Sequence, residues 1–174
     1  RGVLIDLVGL FAEEPANSGG YDPLGSRAIT AEDVGGALDR QGVSLQPGDL
    51  LCFRFGWPAA YRALSTAERE AYSPDPRFSG LIADEEMARF LWNSHPAAIC
   101  CDNPAVEVVP GDPAIGSLHR RLLPSLGMAL GEMFDFETLS RRLGELGRST
   151  FFFVAAPLNV PDALGSPGNA VAIL

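Results

Sequence analysis

At 174 residues, 47% apolar and 20% charged, the chain has the size and composition of one compact α/β-sized domain with a hydrophobic core, which excludes a disordered chain. A formal net charge of −9, with no local Lys/Arg cluster to offset it, repels nucleic acid and anionic lipid, so neither is an expected partner. Apolar runs such as residues 151–156 fall far short of a bilayer span and the layout of a secretory leader is missing, so a soluble protein is expected.

The chain opens at Arg1, without an initiator Met, directly into the strand-like run Val3–Val8, and that opening reads as the start of a fragment. A Gly/Pro/Ser-rich loop follows over residues 13–26; it lacks a Gly-Lys-Ser/Thr sequence and is expected to be a surface loop, not a phosphate cradle. Thr30 with Asp33 forms a capping box for a helix to Arg40, and Gln46-Pro47-Gly48-Asp49 is a turn feeding a strand over Leu50–Phe55. Ser65 with Glu68 starts a second boxed helix toward Tyr72, Asp84 caps another to Asn93, and Ala97–Cys101 is a buried strand. Asp112-Pro113 predicts a helix through Leu123, interrupted at Pro124, and Met128–Phe134 predicts a strand. Asp135–Leu146 then reads as a helix, with strands over Thr150–Ala156 and Asn169–Leu174. The class is α/β with a mixed β-sheet and flanking helices.

Cys52, Cys100 and Cys101 each fall in an apolar strand-like run and are expected to be reduced structural thiols, in keeping with a cytoplasmic protein. Cys100 and Cys101, as strand neighbours, point to opposite faces and cannot share a metal as an ordinary pair.

The chain has two histidines. His95, between a helix end and Pro96, reads as a loop imidazole without a role. His119 lies one helical turn from Ile115 and beside Leu118 and Leu122, on an apolar helix face. Glu132 alternates onto the face of Met128, Leu130 and Phe134, where a carboxylate needs a cation, a metal or a hydrogen-bond donor. Eight residues of helix and turn beyond His119 advance roughly 12 Å and five residues of strand return roughly 16 Å, so the two side chains can meet. Residue logic leaves two accounts open: a Zn²⁺ or Mn²⁺ site, or an internal Glu132–Arg or Glu132–His119 pair. Asp6 is expected to be a buried acid bonded to backbone N–H groups, and Asp102 and Asn103, just past the end of a buried strand, are candidate pocket residues.

The segments Pro47-Gly48-Asp49-Leu50-Leu51, Arg54-Phe55-Gly56-Trp57, Leu118-His119-Arg120-Arg121-Leu122-Leu123, Gly131-Glu132, Ala156-Pro157-Leu158 and Gly165-Ser166-Pro167 follow one another in the order seen in the putative cyclase family, which the chain resembles from Arg1-Gly2-Val3-Leu4-Ile5-Asp6 onward. That family includes kynurenine formamidase-like and isatin hydrolase-like enzymes with a swivelling β/β/α fold. The resemblance implies a zinc- or manganese-dependent hydrolase of carbon–nitrogen amide bonds in a small-molecule substrate, with His119 and Glu132 as metal ligands; Trp57 is a candidate aromatic wall for that substrate, with a buried core position the stronger expectation. The family's remaining ligands belong to a motif of the form His-x-Gly-Thr-His-x-Asp-x-x-x-His that precedes the Arg-Gly-Val-Leu segment and is not in this sequence. The chain is therefore expected to be the carboxyl-terminal portion of a cyclase-like domain, with part of the site and no complete metal centre of its own. Open sheet edges in such a portion lead to an expected homo-oligomer. The rival expectation is an inactive cyclase-like domain for ligand binding or assembly, with Glu132 paired to Arg54, Arg120 or Arg121.

Overall fold

A computed structural model of the chain describes residues 1–14 and 20–174. The strand–helix alternation resolves into a six-stranded mixed sheet, and what decides its two faces is side-chain parity along three central strands. These are β1 (Gly2–Asp6), β3 (Leu50–Arg54) and β5 (Ala98–Cys101); β2 (Ala28–Ile29) belongs to a separate two-stranded pair with β4 (Gly80–Leu81). With β6 (Ala129–Gly131), β7 (Thr150–Val154) and β8 (Val171–Ile173) the sheet order is β6-β5-β3-β1-β7-β8. β6, β5, β3 and β1 run parallel, and β7 and β8 are added antiparallel at one edge.

Val3, Ile5, Leu51, Phe53, Ile99 and Cys101 face one side and pack on α1 (Leu7–Phe11), α2 (Ala31–Gln41), α5 (Glu85–Asn93) and α6 (Leu118–Arg120). Their neighbours Leu4, Cys52 and Cys100 face the other side and meet Phe136 and Leu143 of the α7 region, where α7 spans Glu137–Glu145. Cys100 and Cys101 thus fall in opposite cores, and all three cysteines are buried free thiols. The remaining helices, α3 (Trp57–Ala63) and α4 (Thr66–Tyr72), lie beyond the carboxyl end of β3.

Both capping boxes form, Thr30 with Asp33 and Ser65 with Glu68, and Asp84 accepts from Met87 N–H at 2.8 Å. Three element expectations are corrected. The first strand ends at Asp6, whose side chain caps α1, so Leu7 and Val8 are helical. Asp112 starts no helix: its carboxylate accepts from Ala114 N–H at 2.8 Å in a local turn, and the helix begins at Leu118. The strand predicted over Met128–Phe134 stops at Gly131, because Met133 adopts φ +61 and turns the chain across the end of β5. Of the loop expected over residues 13–26, residues 15–19 lie outside the described residues, and Asp22–Gly25 is a turn closed by Gly25 N–H on Asp22 O at 3.0 Å. Among the described residues no helix is long and apolar enough to cross a membrane.

Candidate functional site

His119 is presented by α6, and the start of that short helix is built by a residue far away in sequence. Ser117, at the N-cap, makes no side-chain cap of its own. Glu107 supplies the cap instead: its carboxylate accepts from Ser117 Oγ at 2.9 Å, from His119 N–H at 3.1 Å, and from Leu118 N–H. Glu107 is held in turn against β4, where Leu81 N–H donates to Val106 O and Val108 N–H to Leu81 O, both at 3.0 Å. That approach depends on Gly80, since a Cβ there would lie 2.6 Å from the Glu107 carbonyl carbon. After Arg120 the helix widens into a π-helical turn over Arg121–Ser125 around Pro124, which has no N–H to give the ordinary ladder.

Glu132 reaches the same point from the end of β6. Its position is fixed by the next two residues, as Met133 N–H donates to Asn103 O at 2.9 Å and Phe134 N–H to Cys101 O at 3.1 Å. The result brings His119 and Glu132 together: Nε2 is 3.0 Å from Glu132 Oε1, and Nδ1 is 3.3 Å from Glu107 Oε1. Glu132 Oε1 also accepts from Val106 N–H at 2.9 Å. The cluster is half-buried, and the hydrogen bonds that the ring donates to Glu107 and then to Glu132 push the imidazole up to about 10 against the opposing effect of burial. Burial raises the Glu107 carboxyl, but its bonds from His119 and Ser117 outweigh this and leave it below its ordinary value.

Donors that bind one Zn²⁺ at about 2.0–2.2 Å stand about 3 Å apart, so the 3.0 Å between Nε2 and Oε1 suits two ligands of a common ion. Binding there requires that Nε2 give up its proton. Two donors are fewer than the three protein ligands of a catalytic zinc site, and among the described residues no group of three or more His, Cys, Asp or Glu side chains could hold a metal ion. The residues present therefore fit two of the three protein positions of such a site.

The other expected site residues have clear places. Asp102 and Asn103 are fully buried at the carboxyl end of β5. Asp102 accepts from Phe55 N–H at 2.7 Å and Gly56 N–H at 2.8 Å, so it secures the turn that leads into α3. Asn103 donates to Ser79 O at 2.5 Å, and its Oδ1 is a buried acceptor with no partner among the described residues. Trp57 is buried, stacked on Tyr61 with ring centroids 4.7 Å apart and donating to Tyr72 Oη at 3.0 Å. Arg54 is no partner of Glu132: it joins Asp6 and Glu137, each at 2.8 Å, while Arg121 donates to Ala83 O and Ile115 O. Asp6 accepts Gly9 N–H at 3.0 Å, the backbone bond expected of it, as well as the Arg54 guanidinium.

Two adjoining grooves, of about 620 and 690 Å³, meet at Glu132 and share Phe134, Phe153, Ser166, Pro167 and Gly168 in their walls. Glu132, in both grooves, and Asp135, in the first, are the charged residues of walls otherwise built mainly from apolar side chains, a composition that suits a small-molecule site. Sequence reasoning passed over Glu107. Its signal was weak but present: an acid between Val106 and Val108, both buried.

Residues 1–108 match the family model described as Putative cyclase. The structure is similar to a crystal structure described as a novel cyclase, at 32% identity and a TM-score of 0.82, over 99% of this chain and 53% of that one. It also shares its fold with isatin hydrolase A from Labrenzia aggregata (18% identity, TM-score 0.64, 98% of this chain and 59% of that one). A third similar structure, described as a potential metal-dependent hydrolase with cyclase activity, has 20% identity and a TM-score of 0.55 over 98% of this chain and 62% of its own. The chain thus spans between about half and three fifths of the length of these solved structures. No curated protein sequence matches it.

Proposed function

The chain belongs to the cyclase family, and from that premise we propose that it carries part of the active site of a metal-dependent hydrolase acting on a carbon–nitrogen amide bond in a small cyclic or aryl-linked substrate. The observation that carries this reading is the 3.0 Å approach of His119 Nε2 to Oε1 of Glu132, the residue that lines both grooves. A divalent ion such as Zn²⁺ or Mn²⁺ would supply Lewis acidity and a more acidic water at that point. His119 would offer Nε2 to it, and Glu132 its carboxylate; Oε2 of Glu132 makes no bond among the described residues, so it remains available. The further donors would come from outside these 174 residues. Apolar walls at Phe134 and Phe153 would exclude water from an aromatic substrate, while Asp102 and Asn103, which line neither groove, would support the wall from behind through the bond that Met133 N–H makes to Asn103 O. The fold shared with isatin hydrolase supports a cyclic amide, and the three buried thiols support a reducing, cytoplasmic setting.

Mn²⁺ titrated into the isotope-labelled chain tests the reading, because paramagnetic broadening registers even a weak partial site. Broadening centred on His119 and Glu132, and lost in His119→Ala, is the expected result. Broadening spread over the acidic surface alike in both proteins would sink it. A second reading, an inactive cyclase-like domain, draws on a specific feature: both ring nitrogens of His119 already face carboxylates. It requires that the titration leave this cluster untouched.

A further inference from the structure

We propose that Glu107 is the positioning residue of this site: it fixes the ring of His119 so that Nε2, and not Nδ1, is turned toward Glu132 and any bound ion. The proposal rests on the hydrolase reading above for the ion, but its geometric part stands on the protein alone.

Three observations carry it. Glu107 contacts both the backbone and the ring of the same residue, accepting His119 N–H at 3.1 Å while facing Nδ1 at 3.3 Å, so helix start and ring orientation are set by one carboxylate. A carboxylate has about four acceptor positions, and Ser117 Oγ, Leu118 N–H, His119 N–H and His119 Nδ1 occupy as many. Glu107 therefore has no lone pair left for an ion, whereas Glu132 uses only Oε1. The two acids flanking one imidazole are thus unlike: one is saturated and orients, the other is open and can bind. Finally, Glu107 is itself rigidly mounted, on a segment that bridges to β4 across Gly80. Carboxylates that receive the second ring N–H of a ligating histidine serve this purpose in metal sites generally, and their loss typically weakens metal affinity about 10–100-fold.

Low-field proton NMR of the ¹⁵N-histidine-labelled chain tests the geometric part without any metal. Wild type should show two slowly exchanging imidazolium N–H resonances from His119. Glu132→Gln should remove the Nε2–H resonance alone, whereas Glu107→Gln should remove both, since the ring loses its orientation. Survival of the Nε2–H resonance in Glu107→Gln would overturn the positioning role. If Glu107→Gln does not fold, Ser117→Ala removes one donor to the carboxylate and should speed exchange of both resonances together; no change in either overturns the proposal equally. Mn²⁺ titration of the same proteins separates the two layers. A roughly 10–100-fold weaker effect at His119 in Glu107→Gln supports both. Resonances that behave as expected without any Mn²⁺ effect in wild type leave the orientation intact and sink the metal reading. Unchanged Mn²⁺ binding in Glu107→Gln sinks the positioning role alone.

Discussion

Asp102 shows how one buried acid can serve the fold at the expense of a pH-dependent stability. Each of its oxygens receives one backbone N–H, from Phe55 and Gly56, yet burial pushes the carboxyl up to about 7 despite those bonds. Between the unfolded value of 3.8 and about 7 the native protein holds a proton that the unfolded chain has released. The contribution to stability is thus complete below the lower value and is lost as pH rises through the upper one. Glu107 and Asp135, lowered in the fold, act in the opposite sense, gaining as pH rises. A comparison with Asp102→Asn isolates the term: wild type should lose Tm more steeply than the variant between roughly pH 4 and pH 8. Parallel Tm profiles would show that Asp102 does not titrate as its burial requires. Removing the side chain as Asp102→Ala is a different perturbation, leaving two N–H groups without acceptors at about 1–3 kcal/mol each, measurable by urea unfolding.

At the level of elements, two residues decide whether neighbouring segments can approach. Gly80→Ala places a methyl group 2.6 Å from the Glu107 carbonyl carbon and 2.7 Å from Val108 N, both backbone atoms that cannot rotate away. The segment must shift, at about 1–3 kcal/mol of stability, and Glu107 moves with it. The variant should therefore both unfold at lower urea and perturb the His119 ring resonances; a destabilised protein with unaltered resonances would uncouple β4 from the site. Arg54 joins β1, β3 and α7 through Asp6 and Glu137, with 15% of its side chain exposed. Arg54→Met leaves those two acids without their cation and should cost about 2–4 kcal/mol, less than a fully buried pair because solvent still screens them. The strand parity, both capping boxes and the meeting of His119 with Glu132 were legible because each depends on spacing along the chain. The early start assigned to the His119 helix was not: Asp112-Pro113 has the chemistry of a helix cap, but that chemistry is satisfied in a turn, and the cap that operates is Glu107, a tertiary contact. The overlong strand at Glu132 has a similar origin, since nothing local in Met133 announces a left-handed φ that Cys101, at the end of β5, and Asn103, just beyond it, hold in place.

For the whole molecule, the question is what lies against the β7–β8 edge. Phe152 pairs with Ile173 and Val154 with Val171 in an antiparallel register, so the four side chains share one sheet face. Their exposures, 61%, 56%, 43% and 55%, leave that face open, and β8 is also an edge strand. Residues 149–174 carry a single charged side chain, Asp162, in a chain of formal net charge −9. Two copies that approach elsewhere bring like charges together, while this face offers apolar contact at little electrostatic cost. A second copy related by a two-fold axis can place the same four residues against themselves, and we expect a dimer in equilibrium with monomer. Added salt should shift that equilibrium toward the dimer, because it screens the net repulsion while leaving apolar contact in force. Sedimentation equilibrium of wild type and of the double variant Phe152→Lys with Ile173→Lys checks this: the variant should be monomeric at concentrations where wild type is dimeric. A wild type that stays monomeric at high protein and high salt would mean that this face does not bind a second copy.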